Sequence, residues 1–114
     1  MTIIQIEKDG IMELSISGRL DAVSAVEADK DFNKVIDAGH ENLLFNLDNL
    51  DYISSAGLRV LLVAAKRIQQ NGGKVVICSL SNNVKEVFEI SGFSSIFNIF
   101  STNTDAADFL LSEN

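Results

Sequence analysis

The side chains best placed to do chemistry are Ser54 and Ser55, in the run Asp51-Tyr52-Ile53-Ser54-Ser55-Ala56-Gly57-Leu58. Two hydroxyls there end an apolar stretch and open an amphipathic helix. A serine at a helix start has two uses. Its oxygen accepts from the free amide hydrogens of the first turn, a cap that stabilises by about 1 kcal/mol. The same amides and the helix dipole favour negative charge, so a phosphate on that serine is tolerated rather than disruptive. The local residue pattern leaves capping and phosphorylation both open.

The remaining reactive types offer little. His40 is the only histidine and lies in Ala38-Gly39-His40-Glu41, between a helix and a strand, with no cysteine or serine spaced to use it as a base. Cys78 is the only cysteine and sits inside Lys74-Val75-Val76-Ile77-Cys78-Ser79, a strand, so it reads as a buried structural thiol outside any internal disulfide. Asp21, Asp48 and Asp51 follow neither a zinc nor a calcium-loop pattern, so no metal or cofactor is expected. Gly72-Gly73-Lys74 is a turn: Ile68 stands where a phosphate loop has its first glycine, and Val75 where it has Ser or Thr. No enzyme constellation emerges.

The elements that must position the serines can be read from periodicity. Leu58, Leu61, Leu62, Ala65 and Ile68 fall on one face of a helix from about 55 to 71, with Arg59, Lys66, Arg67 and Gln70 on another. A short buried strand at 42–47 precedes the serine junction, and Asn71-Gly72-Gly73 leads into a strand at 74–79. Upstream, Lys8-Asp9-Gly10 between alternating segments signals a hairpin. Ala25, Ala28, Phe32, Val35 and Ile36 then mark a helix closed by Ala38-Gly39 and capped by Asp21 or Ser24. Downstream, Ser81-Asn82-Asn83 reads as the cap of a helix carrying Val84, Val87, Phe88 and Ile90, and 96–100 forms a last strand. Thr102 or Thr104 then caps a closing helix through Phe109-Leu110-Leu111. The expectation is one domain over 1–114, an α/β fold of order ββαβαβαβα: a mixed five-stranded sheet packed with about four helices.

Composition narrows the partners. With 16 acidic and 9 basic residues the formal charge is -7, which disfavours nucleic acid and anionic membranes and points to a protein or small ligand. No apolar run reaches the roughly 20 residues that span a bilayer, and Met1-Thr2-Ile3-Ile4-Gln5 lacks signal-peptide features. The chain is expected to be cytoplasmic, as a monomer or weak dimer. The positive cluster of Arg59, Lys66 and Arg67 stands out as either a solvated helix face or a docking patch.

Four segments in order carry a specific resemblance: Gly18-Arg19-Leu20-Asp21, then Leu47 through Leu58, then Gly72-Gly73-Lys74, then Val84 through Phe88 to Ser91-Gly92-Phe93. Together they resemble STAS domains of the anti-sigma factor antagonist family. The resemblance implies a non-enzymatic partner switch. The unphosphorylated domain binds an anti-sigma factor that is also its serine kinase, phosphorylation breaks the complex, and a PP2C-type phosphatase restores it. Placed against the family's Asp-Ser-Ser/Thr-Gly-Leu motif, Gly57-Leu58 sets the register and puts the acceptor on Ser55, with Ser54 as runner-up. Ser54 then stands where the motif has aspartate, and Ala56 where it has its second hydroxyl. By the same resemblance Asp21 lies in the region facing the kinase, and Arg59 is available to a phosphate or an acidic partner face. The alternative is a non-switching STAS module that binds a nucleotide, lipid or other small ligand.

Overall fold

The computed structural model describes residues 1–112; residues 113 and 114, the end of the expected domain, lie outside the described residues. The chain opens with β1 (Thr2–Lys8) and β2 (Ile11–Leu20), paired antiparallel with Lys8 opposite Ile11. Asp9 and Gly10 join them with φ of 55° and 80°, the two left-handed residues that a tight hairpin turn requires. There follow α1 (Ser24–Asp37), β3 (Asn42–Asn46), β4 (Leu50–Ile53), α2 (Ser55–Gln70), β5 (Lys74–Cys78) and α3 (Asn82–Ile90). A 3-10 turn at Phe93–Ser95, β6 (Asn98–Phe100) and α4 (Asn103–Ser112) complete the order.

The sheet runs β1-β2-β3-β5-β6, with β2, β3, β5 and β6 parallel. Each parallel step is bridged by a helix, as crossover geometry demands. Strand alternation then splits the core. Leu14, Ile16, Leu43, Phe45, Val75 and Ile77 face α1 and α2, meeting Phe32, Val35, Leu61, Ala65 and Ile68. Leu44, Val76 and Cys78 face the other way, against Ala106 and Leu110 of α4. The rings of Phe32 and Phe45 lie 5.1 Å apart, joining α1 to the sheet centre.

The five residues expected to mark α1's inner face are its five buried residues. On α2 the buried set is Gly57, Leu58, Leu61, Ala64, Ala65 and Ile68, with Leu62 only half buried. Two details differ further along. Ile90 is 80% exposed, because six residues past Val84 it has turned about 240° round the helix, away from the Val84 and Phe88 stripe. The last strand is also shorter than 96–100, since Ile96 and Phe97 still belong to the turn after Gly92, whose φ of 81° ends α3.

A sixth strand, β4, stands beside the five expected. It occupies the segment read as a loop before the serines, and its burial runs buried, exposed, exposed, buried rather than alternating. It pairs with the end of β2 on both sides of a bulge, Gly18 with Leu50 before it and Arg19 with Tyr52 and Leu20 with Ile53 after it. The extra residue is Asp51 on β4, skipped between Leu50 and Tyr52, and opposite it Gly18 of β2 takes a φ of 89°. This short parallel pair is what carries Ser54 and Ser55 to the end of β2.

Candidate functional site

The site forms where β2, β4 and α2 meet. The Ser54 N–H donates to the carbonyl of Leu20 at 2.9 Å, continuing the β2–β4 ladder into the helix start. Ser54 is extended, with φ -96° and ψ 174°, and its Oγ accepts from the Gly57 N–H at 3.2 Å. Ser54 is therefore the N-cap of α2. Ser55 is the first helical residue and is exposed, and its hydroxyl has no hydrogen-bond partner among the described residues. The two hydroxyls left equivalent by their types are separated by geometry: one is engaged in capping, the other points to solvent unpartnered.

Gly57 is buried, and a Cβ built on it would lie 2.7 Å from the Leu20 carbonyl oxygen and 2.8 Å from Cγ1 of Ile53. Only a residue without a side chain lets α2 start this close to the sheet. Ala56 is half buried against the core, while Arg59, one turn beyond Ser55, is exposed and makes no ion pair among the described residues. Lys66 is likewise exposed. Arg67 is not part of a free basic cluster: it bonds Asn33 and forms an ion pair with Asp37 at 3.0 Å, clamping α2 to α1. The expected three-residue positive patch thus reduces to Arg59 and Lys66.

Asp21 stands just past β2. Its Oδ1 accepts from the backbone N–H groups of Val23 and Ser24, both at 3.0 Å, and from the Ser24 hydroxyl at 3.1 Å. Ser24 Oγ in turn accepts from the Asp21 N–H at 2.9 Å. Asp21 and Ser24 thus cap α1 together, each serving the other's backbone, as in a capping box. The hydrogen bonds from Ser24, backbone first and hydroxyl second, hold the Asp21 carboxyl below the usual carboxylate range.

Sequence reasoning gave no role to the pair beside this cap. The Arg19 guanidinium lies 4.1 Å from the centre of the Tyr52 ring, across the bulged β2–β4 pair. Both side chains are exposed. The signal was hidden because the contact depends on β4, the strand the sequence did not announce.

The other candidates take structural places. His40 lies 3.6 Å from Glu7, away from the serines. Cys78 is buried, and burial raises its thiol above the usual range. Gly73 is a turn residue whose Cβ would collide with the backbone of Glu41. Among the described residues no three His, Cys, Asp or Glu side chains gather as a metal cluster, and no helix is long and apolar enough to cross a membrane. A groove of about 600 Å³ lies along α3 and β6, lined by Ser79, Lys85, Phe88 and Ile99 among others.

Comparison with known proteins matches the STAS domain model to residues 3–106. BtrV of Bordetella bronchiseptica, which carries the name of an anti-sigma factor antagonist, is 40% identical over 99 residues, covering 87% of this chain and 85% of its own. An anti-sigma-B factor antagonist of Staphylococcus aureus is 25% identical over 92 residues, covering 81% and 85%. In fold, the anti-sigma factor antagonist SpoIIAA in its unphosphorylated form superposes with a TM-score of 0.84 at 17% identity, covering 99% of each chain. The phosphorylated form, from Bacillus, gives 0.73 at 17% identity, covering 94% and 97%. With the family model spanning nearly the whole chain and this helix start at its centre, the chain belongs to the STAS domain family, among the anti-sigma factor antagonists.

Proposed function

We propose that this chain is a phosphorylation-controlled partner switch, a single regulatory domain rather than an enzyme. Unphosphorylated, it binds an anti-sigma factor that is also its serine kinase, and phosphorylation of Ser55 releases that partner. A PP2C-type phosphatase returns it to the binding form. The observation that carries this reading is the exposed, unpartnered Ser55 hydroxyl in the first turn of α2, next to a serine already committed to capping. Ser54, Ala56, Gly57 and Arg59, neighbours of that hydroxyl along the chain, and Asp21 just past the end of β2 form the proposed partner-binding face. Residence in the cytoplasm, as a monomer or weak dimer, completes the reading.

The physical consequence of phosphorylation is local. Phosphate adds about -1.5 to -2 charge at neutral pH to a chain already at -7. At a helix start the dipole stabilises that charge, so the fold survives it. At a protein interface the same group is crowded, desolvated and like-charged towards acidic neighbours, and a few kcal/mol there shifts affinity by orders of magnitude.

The test is calorimetric titration of the anti-sigma kinase with three forms of the chain. Wild type and Ser55→Ala bind alike, and Ser55→Asp binds at least about tenfold more weakly, a loss of about 1.4 kcal/mol. Equal binding by all three would remove the switch. The alternative, a small-ligand module, would then be tested at the groove lined by Lys85 and Phe88.

A further inference from the structure

We infer that Arg19, stacked on Tyr52, is the residue that reads the partner's surface, and that the partner meets it with an acidic side chain. This rests on the partner-switch reading and adds to it the chemistry of the docking contact.

What holds Arg19 decides how it can bind. An exposed arginine ordinarily samples many rotamers, and ordering it for an ion pair costs most of what the pair gains. Here the guanidinium is already laid over the Tyr52 ring at 4.1 Å. A cation–π contact of this kind engages the charge of the guanidinium and consumes none of its N–H donors, the fork that matches a carboxylate. No described residue pairs with those donors. The nearest carboxylate in sequence, Asp21, contributes only a through-space attraction, and its Oδ1 is taken up by the Val23 and Ser24 hydrogens. Arg19 is thus an ordered cation whose hydrogen-bonding capacity is unspent.

Its position ties it to the phosphorylation site. Arg19 pairs with Tyr52 one step before Leu20 pairs with Ile53, and the Leu20 carbonyl receives the Ser54 N–H. Arg19 and Ser55 therefore project from one short piece of framework with no flexible segment between them. A carboxylate docked on Arg19 fixes the distance from the partner to the Ser55 hydroxyl. Around it the chain is acidic, with Asp48 and Asp51 exposed on the same connection. At the β2–β4 end of the site Arg19 is the attractive point for an acidic partner group among the Asp48 and Asp51 charges, with Arg59 one turn beyond Ser55 on the helix side, so the contact at Arg19 sets register as well as affinity.

The experiment is steady-state phosphorylation of the full chain by its Ser55 kinase, with thermal melts of each variant as a folding control. Arg19→Glu is expected to raise the KM for this chain at least about tenfold with kcat within about twofold, because a like charge opposes docking but not transfer. Arg19→Lys restores the charge without the fork and falls in between. Tyr52→Phe keeps the ring and behaves as wild type, whereas Tyr52→Leu raises KM about threefold by loosening Arg19, with kcat unchanged. A KM indifferent to Arg19→Glu overturns the proposal and leaves the switch standing. So does an effect confined to the KM for ATP, which would make Arg19 a reader of nucleotide phosphate instead. Absence of any phosphate transfer to wild type overturns both.

Discussion

The carbonyl of Leu20 accepts the Ser54 N–H at 2.9 Å and would lie 2.7 Å from any Cβ placed on Gly57. One backbone oxygen at the end of β2 thus fixes both the cap of α2 and the residue three positions later. Gly57→Ala is expected to push α2 off the sheet and cost about 1–3 kcal/mol, the range for overpacking a filled site. Urea unfolding measures this. A loss below about 0.5 kcal/mol would show that the helix start shifts freely.

Ser54 and Ser55 should separate by stability. Ser54→Ala removes the oxygen that accepts from Gly57 and is expected to cost about 1 kcal/mol, while Ser55→Ala stays within about 0.5 kcal/mol of wild type. Ser54→Asp keeps an N-cap acceptor and is expected to match wild type. Equal losses for both alanine variants in chemical denaturation would contradict the division of labour.

The Asp21 cap gives a pH signature. Its folded carboxyl is held low by the Ser24 hydrogen bonds, so its stabilisation is complete at neutral pH and lost as pH falls through that lowered value. The stability gap between wild type and Asp21→Ala should therefore be wide at pH 7 and close in acid, below the usual carboxylate range. Melting curves at several pH values test this, and a gap independent of pH would mean that ionisation plays no part in the cap.

Much of this was legible in the sequence because the signals were local. The Asp9-Gly10 turn, the five buried positions of α1 and the cap of α3 by Ser81 each depend on residues within a few positions of one another. The α4 cap does too: Thr102 Oγ1, one of two candidates, accepts from the Asp105 N–H at 3.1 Å. What escaped was non-local. β4 has only four residues and no alternation, and it pairs with β2 through a register that skips Asp51. The Arg19–Tyr52 stack and the loss of Arg67 to Asn33 and Asp37 likewise join elements distant in the chain. At the candidate site the family motif supplied the register of Ser55, and only the geometry distinguished its hydroxyl from that of Ser54.

Cys78 should be inert in the folded chain. It is buried in the small core it shares with Val76, Ala106 and Leu110, and burial raises its thiol above the usual range, the Glu13 and Asp48 charges adding to this and a Ser79 hydrogen bond opposing it. Iodoacetamide at pH 8 is expected to label it only at the rate of global unfolding. Rapid labelling of native protein would show that α4 detaches.

The central claim, that Ser55 is the switch residue, is tested most directly by peptide mass spectrometry of the protein purified from its native host, with the phosphosite assigned between Ser54 and Ser55. The account predicts phosphate on Ser55, absent from Ser55→Ala and retained in Ser54→Asp. Phosphate on Ser54, or none under any growth condition, would contradict it.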